Sequence, residues 1–480
     1  MDKRNLTLLM DFYELTMGNG YFLKGLKDRV AVFDAYFRTL PDQGGFAIMA
    51  GLDQVIDYME KLHFTPEDIA YLRQRNLFDE AFLDYLANFD FACDVWAVPE
   101  GTPVFPGEPL VTVRGPVIQA QMLETMTLLL LNHQCLIATK ANRIVRAAQG
   151  RAVMEFGSRR AQGADAANYG ARAAYIAGAV GSANTWTDRE MGIPALGTMA
   201  HSWVQLFRSE YEAFKAYAEV YPQDCTLLID TYDVLQSGVP NAIKVFDEVV
   251  VPAGYRPKGV RIDSGDIAYL SKRTRQMLDE AGYQDCSIVA SGGLDEYLIR
   301  DLLLQGAKLD SFGVGERLIT AKSDPVFGGV YKMVAVADEA GTLEPRIKIS
   351  ENVDKITTPG FKCTWRLFDR DTGKAIADVI SLADETIPED EPFTLFDPKA
   401  IWKRKEVDNF RAERLQVPIY EKGQLVYDRP SVEAIRTYCQ EKLDTLWEEV
   451  TRFENPHKYY VDFTYKLWQL REDMLMRHRV

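Results

Sequence analysis

The chain is 480 residues long and 47% apolar, with 55 Lys and Arg against 70 Asp and Glu, a formal net charge of -15. That length predicts two or three domains with a substantial buried core, and the acidic balance excludes nucleic acid or an anionic membrane as the default partner. An anionic substrate therefore requires a local basic cluster.

The first segment reads as a mixed α+β domain over residues 1–138. In MDKRNLTLLMDFYELTM, Asp11 and Glu14 interrupt the apolar run before it reaches signal-peptide length. AVFDAYF predicts a strand, and the apolar spacing from Ala47 to Leu62 predicts a helix. GTPVFPGEPLVTVRGP predicts short strands broken by turns. MTLLLLNHQCLIATK is broken by Asn132, His133 and Gln134 and is too short to span a bilayer, so it predicts a buried core helix.

Residues 139–345 have another rhythm, in which VMEFGSRR, PALGTMAHS, TLLIDTYD, GVRIDSGD, SIVASGGLDE and DSFGVGE each read as a strand end followed by a helical stretch. Successive βα units of this kind predict a parallel sheet, closed or nearly closed into an α/β barrel, although periodicity also allows an open sheet. Residues 346–480 carry short β-like pieces such as PRIKIS and TWRLFDR, an acidic loop at PEDEP and a helical tail from Ser431, and read as a packing domain.

Loops after barrel strands build one face, so their unusual residues converge there. Arg159 and Arg160 suit phosphate or carboxylate, or a surface salt bridge. Ser291, Gly292 and Gly293, and then Gly313 and Gly315, can present backbone N–H groups to phosphate at helix starts; each pair alone would be a tight turn. In RIDSGD, Asp266 reads as a helix cap, Asp263 faces the site to hold Mg²⁺ through water or ribose hydroxyls, and Arg261 supplies a buried positive charge. His201 is either a satisfied histidine near a helix start or a phosphoryl nucleophile oriented by Asp230. The six cysteines, Cys93, Cys135, Cys225, Cys286, Cys363 and Cys439, form no CxxC pair and have no histidine at metal-ligand spacing. No metal ligand is assigned directly, and they read as reduced thiols of a cytoplasmic protein.

DFYELTM, EFGSRRAQG, GTMAHSW, RIDSGD, SGGLDE and FGVGERL, in this order and spacing, resemble the nicotinate phosphoribosyltransferase family in its bacterial form. The resemblance implies a type II phosphoribosyltransferase fold: an N-terminal α+β domain, an irregular α/β barrel and a C-terminal extension. It also implies a homodimer with shared active sites. The implied reaction joins nicotinate to 5-phosphoribosyl-1-pyrophosphate with coupled hydrolysis of ATP as co-substrate and Mg²⁺ as cofactor.

By motif, His201 matches the histidine that ATP phosphorylates transiently, with Asp230 supporting it. Tyr13, contributed by the partner subunit, and Phe156 resemble the aromatic pair that sandwiches the pyridine ring. Arg261 and Thr198 would recognise nicotinate, Arg159 would sit near the phosphates or ring, and Asp263 near the ribose. Ser291 to Gly293 and Gly313 to Gly315 would surround the 5′-phosphate, with Lys140 and Arg143 as further anion contacts. Glu316 departs from the hydroxyl residue of some relatives and would repel phosphate unless it turns away or pairs with Arg317. GSANTW also differs from the usual wording, although Asn184 keeps its place. The rival readings are a nicotinamide- or quinolinate-specific transferase and a catalytically silent nucleotide-binding barrel.

Overall fold

In the computed structural model, which describes residues 4–477, AVFDAYF lies within the strand Val30–Phe37, buried along nearly its whole length. Burial of both faces is what an apolar run without alternation calls for. This strand pairs antiparallel with Gly329–Ala337 on one side and Val111–Pro116 on the other. The resulting seven-stranded sheet continues through Leu343–Pro345 at one end and through Asp94–Ala97, Val417–Glu421 and Gln424–Leu425 at the other.

These pairings have a consequence for domain organisation. The chain divides into two compact units, one made of Met1–Leu136 with Val326–Val480 and the other of Ile137–Pro325. Residues 326–345, expected with the middle domain, group with the chain's two ends because Gly329–Ala337 is a ladder partner of Val30–Phe37. The C-terminal segment joins the same unit, since Val417–Glu421 pairs with Asp94–Ala97.

Local expectations fare unevenly. The helix expected from Ala47 starts only at Leu52, because Ala47–Ile48 pairs with Pro103–Val104 and Gly51, at φ 101°, turns the chain before the helix. MTLLLLNHQCLIATK lies within the helix Glu124–Ala147, with Leu131, Cys135, Ile137, Ala138, Ala141 and Ile144 buried. Among the described residues no helix is long and apolar enough to cross a membrane. TWRLFDR lies in the strand Lys362–Asp369 except for its last residue, Arg370, the tail helix Val432–Asp444 is capped by Ser431, and of PRIKIS only Pro345 is in a strand.

Within the first unit, Arg366 and Asp378 face each other across an antiparallel ladder, both side chains fully buried. The guanidinium is bidentate, with Nε 2.8 Å from Oδ1 and Nη2 2.7 Å from Oδ2, and Nη2 also donates to the Pro103 carbonyl at 2.8 Å. It lies over Phe105 and Tyr459, whose rings stack 3.9 Å apart. Burial, together with the neighbouring Asp378, pushes the Glu108 carboxyl well above the usual carboxylate range, against the Arg366 charge that lowers it.

The second unit carries the βα pattern. Its parallel strands are β1 (Ala152–Glu155), β2 (Thr226–Leu228), β3 (Gly259–Ile262), β4 (Ser287–Ala290) and β5 (Ser311–Val314), in the spatial order β1-β5-β4-β3-β2. Beyond β1 the ladder continues as single parallel bridges from Glu155 to Ser182 and from Ser182 to Ala195. PALGTMAHS therefore supplies one bridging residue rather than a full strand, its Pro and Gly limiting the pairing. All five strands end at one edge of the sheet, where loops gather in such folds.

The buried pair generates a stability prediction. Asp378→Ala leaves a fully buried guanidinium without its partner, a loss of about 3–5 kcal/mol. Thermal unfolding should show a clear fall in Tm, whereas Lys466→Ala, which breaks the exposed pair with Asp384, should leave Tm unchanged.

Candidate active site

Arg261 is the third residue of β3, and its guanidinium points into the strand-end loops with 16% of the side chain exposed. Nε donates to Ser291 Oγ at 2.8 Å, Nη1 to Thr198 Oγ1 at 3.1 Å and to the Met199 carbonyl at 3.4 Å, and Nη2 to Asp263 Oδ1 at 2.8 Å. One side chain thus ties together the loop after Ala195, the end of β3 and the end of β4. Ser291 donates in turn to Asp263 Oδ1 at 2.5 Å. Burial pushes the Asp263 carboxyl up, but the hydrogen bonds from Ser291 and Arg261 and the Arg261 charge outweigh it and hold it below its ordinary value. Asp266 accepts from Tyr269 N at 3.0 Å and caps the helix Ile267–Glu280, which leaves Asp263 as the carboxylate of RIDSGD that faces the cluster.

His201 opens the short helix His201–Leu206, and 41% of its side chain is exposed. Asp230 was expected to orient the imidazole, but Oδ1 lies 4.0 Å from Nε2, beyond hydrogen-bond reach. Its Oδ2 is held elsewhere, accepting from Asp263 N at 3.1 Å and Ser264 Oγ at 2.6 Å. The ring instead meets Thr231, whose Oγ1 is 3.1 Å from Nδ1, while Asp263 Oδ2 is 3.9 Å from Nε2.

Phe156 follows β1, and its ring lies 5.8 Å from the Arg261 guanidinium. Below it, Glu155 is fully buried and accepts from Gly157 N and, at 2.6 Å, from Ser182 Oγ, which fixes the EFGSRR turn. Burial raises its carboxyl above the ordinary value against those two hydrogen bonds. Gly313 is required by this packing, because a Cβ there would stand 2.5 Å from two ring carbons of Phe156. Gly292, at φ 91°, brings its backbone so close to the Asp263 carbonyl that a Cβ would lie 2.0 Å from that oxygen. Gly293 and Gly315 continue the same two loops, and Gly315 precedes the turn Glu316–Ile319. Arg159 and Arg160 sit on the exposed turn Ser158–Arg160, and neither has a hydrogen bond or ion pair with the described residues.

Other expected residues are placed differently. Lys140 is not a free cation: it is 2% exposed, and Nζ donates to Glu296 Oε1 at 2.7 Å and Ser323 Oγ at 2.6 Å. Arg143 shares Glu296 Oε1 at 3.1 Å, so both basic residues balance a buried carboxylate. Glu316 pairs with Lys322 at 2.8 Å rather than with Arg317, which pairs with Asp295; the loop after β5 is thereby relieved of a free carboxylate. Asn184 caps Thr185–Met191 and donates to Asn168 at 2.8 Å. Tyr13 belongs to the first unit, on the helix Phe12–Leu23, with 42% of it exposed.

Sequence reasoning missed Thr231, Ser264, Ser182 and Glu155, whose signals are weak. Thr231 stands next to the singled-out Asp230, and Glu155 is a lone carboxylate at the end of an otherwise apolar strand. Elsewhere, a cavity of about 520 Å³ in the first unit is lined by Trp447, His457, Tyr459 and Tyr460 among others, and by none of the motif residues. Among the described residues no group of three or more His, Cys, Asp or Glu could hold a metal ion.

Three family models match the chain: the nicotinate phosphoribosyltransferase N-terminal domain over residues 8–132, the nicotinate phosphoribosyltransferase family over 151–338 and the C-terminal domain over 361–471. The chain is 42% identical over 464 residues to nicotinate phosphoribosyltransferase of Bacillus subtilis, covering 97% of this chain and 94% of that relative. It superposes on the crystal structure of human nicotinic acid phosphoribosyltransferase with a TM-score of 0.84 at 29% identity, covering 97% of this chain and 100% of that one. The crystal structure of nicotinate-nucleotide pyrophosphorylase from Pyrococcus furiosus shares the fold, with a TM-score of 0.68 at 24% identity over 93% of this chain and 99% of that one.

The Gly313 contact is testable. Gly313→Ala forces the Phe156 ring to move, an overpacking of about 1–3 kcal/mol that should lower Tm and displace the ring in a crystal structure. Gly197→Ala, where a Cβ meets nothing within 4 Å, should do neither.

Proposed function

The chain belongs to the nicotinate phosphoribosyltransferase family, and we propose that it joins nicotinate to 5-phosphoribosyl-1-pyrophosphate. The products are nicotinate mononucleotide and pyrophosphate, the entry step of NAD salvage. The observation that carries this reading is the Arg261 guanidinium standing 5.8 Å from the Phe156 ring. A flat aromatic carboxylate fits that pairing, its ring against Phe156 and its carboxylate on the guanidinium and Thr198. Tyr13, supplied by the partner subunit of a homodimer, closes the other face of the ring.

The loops Ser291–Gly293 and Gly313–Gly315 offer backbone N–H groups to the 5′-phosphate, and Arg159, unpaired among the described residues, is available to the pyrophosphate. Loss of pyrophosphate develops oxocarbenium character at C1 of the ribose while the pyridine nitrogen attacks with its own lone pair. No general base is required, so the residues contribute positioning and charge neutralisation. Mg²⁺ suits this site without a protein cage, since it keeps most of its waters and takes phosphate oxygens; Asp263 Oδ2, which has no hydrogen bond, is the fitting protein ligand. When bound it would neutralise the departing pyrophosphate.

ATP enters as a co-substrate that phosphorylates His201 transiently, which couples its hydrolysis to nucleotide formation. The partly exposed imidazole among Asp230, Asp263 and Thr231 supports this role. The six buried cysteines, which form no disulfide among the described residues, support a reducing compartment, the cytoplasm.

The protein incubated with nicotinate, the phosphoribosyl donor, Mg²⁺ and ATP should form nicotinate mononucleotide. Turnover of nicotinamide or quinolinate with none of nicotinate overturns the assignment. Arg261→Ala should lower kcat/KM for nicotinate about 10- to 100-fold, the loss of a charge-assisted hydrogen bond. His201→Ala should abolish stimulation by ATP, and persistence of that stimulation would exclude the coupling role.

A further inference from the structure

Glu155, the last residue of β1, is a fully buried carboxylate that no ion pair offsets among the described residues. A charge so placed is expensive unless its oxygens are met by donors. Oε1 accepts from Gly157 N, and Oε2 accepts from Ser182 Oγ at 2.6 Å. Ser182 has the same full burial, and its oxygen in turn accepts from Asn184 N at 3.1 Å, so the hydroxyl proton points to Glu155. Both oxygens therefore face donors. Only the ionised carboxylate accepts on both sides while donating on neither, and these two bonds oppose the burial that raises its pKa.

The two donors belong to different walls of the slot beside Arg261. Gly157 follows Phe156 in the turn after β1, and that turn is tight: a Cβ on Gly157 would stand 2.7 Å from Glu155 Oε1 and 2.5 Å from Ile319 Cβ. Phe156 itself is held from the other side, its N–H donating to the Val314 carbonyl at 2.8 Å. Ser182 bridges in parallel to Glu155 on one side and to Ala195 on the other, and its carbonyl accepts from Leu196 N at 2.8 Å. Two residues further on is Thr198, which accepts from the Arg261 guanidinium at 3.1 Å. The Glu155 side chain thus joins the segment that carries the Phe156 ring to the segment that carries Thr198.

We propose that Glu155 is a positioning residue that, through Gly157 and Ser182, sets the spacing between Phe156 and the Thr198–Arg261 edge and thereby the affinity of the slot for a flat aromatic acid. The inference rests on the nicotinate reading above. Backbone pairing brings these segments together, but single parallel bridges leave the side chains free to settle at several spacings. The doubly engaged carboxylate removes that freedom before the ligand arrives, so less ordering is charged against binding. Because the ring is held alike before and during reaction, the contribution falls on binding rather than on the chemical step.

The test uses the full-length protein with nicotinate, 5-phosphoribosyl-1-pyrophosphate, Mg²⁺ and ATP, and measures kcat and the KM of each substrate. Glu155→Gln keeps the shape but turns an amide donor toward Gly157 N or Ser182 Oγ. It should raise KM for nicotinate about tenfold, leave KM for the phosphoribosyl donor within about twofold and change kcat far less. Ser182→Ala removes one of the two bonds and should shift the same KM in the same direction. The double variant should do no more than the larger single change, because both act through one hydrogen bond. A merely structural defect lowers the fraction of active protein, and so kcat, while KM stays put. Equal changes in both KM values, a fall in kcat alone, or wild-type constants in Glu155→Gln overturn the proposal while leaving the nicotinate reading intact. A wild-type protein that turns over no nicotinate overturns both. Should Glu155→Gln fail to fold, the KM values of Ser182→Ala decide the matter.

Discussion

The Arg261 guanidinium is the interaction on which the strand-end cluster depends. Its hydrogen bonds reach Thr198 and Met199, Asp263, and Ser291, on three stretches of chain that the parallel sheet alone would not lock to one another. Isolated in an apolar interior a guanidinium would be expensive, so its position on β3 requires acceptors at the ends of neighbouring strands. Those acceptors also position the rest of the cluster. Asp263 holds Ser291, its backbone N–H holds Asp230, and Ser291 opens the loop that Gly292 and Gly293 complete. Gly292 is needed because that loop passes against the Asp263 carbonyl.

Charge is handled locally in a chain whose net charge is -15. Lys140 and Arg143 are absorbed by Glu296, and Glu316 by Lys322. Arg159 and Arg160 are left facing outward from the turn beside Phe156. An anion approaching this edge therefore meets cations that are not already neutralised. The acidic residues that remain, Asp230 and Asp263, are themselves tied by backbone, hydroxyl and guanidinium donors, which spreads their charge over fixed partners.

Much of this was legible in the sequence, for identifiable reasons. The strand ends TLLID, GVRID, SIVAS and SFGV combine β-branched or aromatic runs with a polar or glycine stop, and each forms a strand within a residue or two of where that pattern places it. Arg261 and Asp263 were readable as facing one way because a strand repeats every two residues. What sequence could not supply were contacts across strands. Nothing in GTMAHSW shows that His201 meets Thr231 rather than Asp230, since a separation of 30 residues is bridged only by the sheet. Lys140 was misjudged for a related reason: its partner Glu296 lies 156 residues away, and a basic residue on a helix reads alike whether it faces an anionic ligand or a buried carboxylate. The start at Leu52 of the second helix was obscured because Ala47 and Ile48 continue the apolar spacing while forming a two-residue strand with Pro103–Val104.

The arrangement of Arg261 also bears on how the proposed pocket would select its ligand. Without substrate the guanidinium is already satisfied, by Asp263, Ser291 and Thr198. A nicotinate carboxylate therefore exchanges one set of charge-assisted bonds for another instead of filling a vacancy, and the net gain depends on what Asp263 acquires when it is released. In the proposed reaction Asp263 acquires the ribose hydroxyls or Mg²⁺ of the second substrate, so the two ligands reinforce each other through this carboxylate. Nicotinamide, with a neutral amide, offers the guanidinium no compensating charge and leaves the Arg261–Asp263 pair the better arrangement. In the proposed pocket selectivity would then come from competition inside the protein, with Asp263 setting the threshold that a ligand's charge has to exceed.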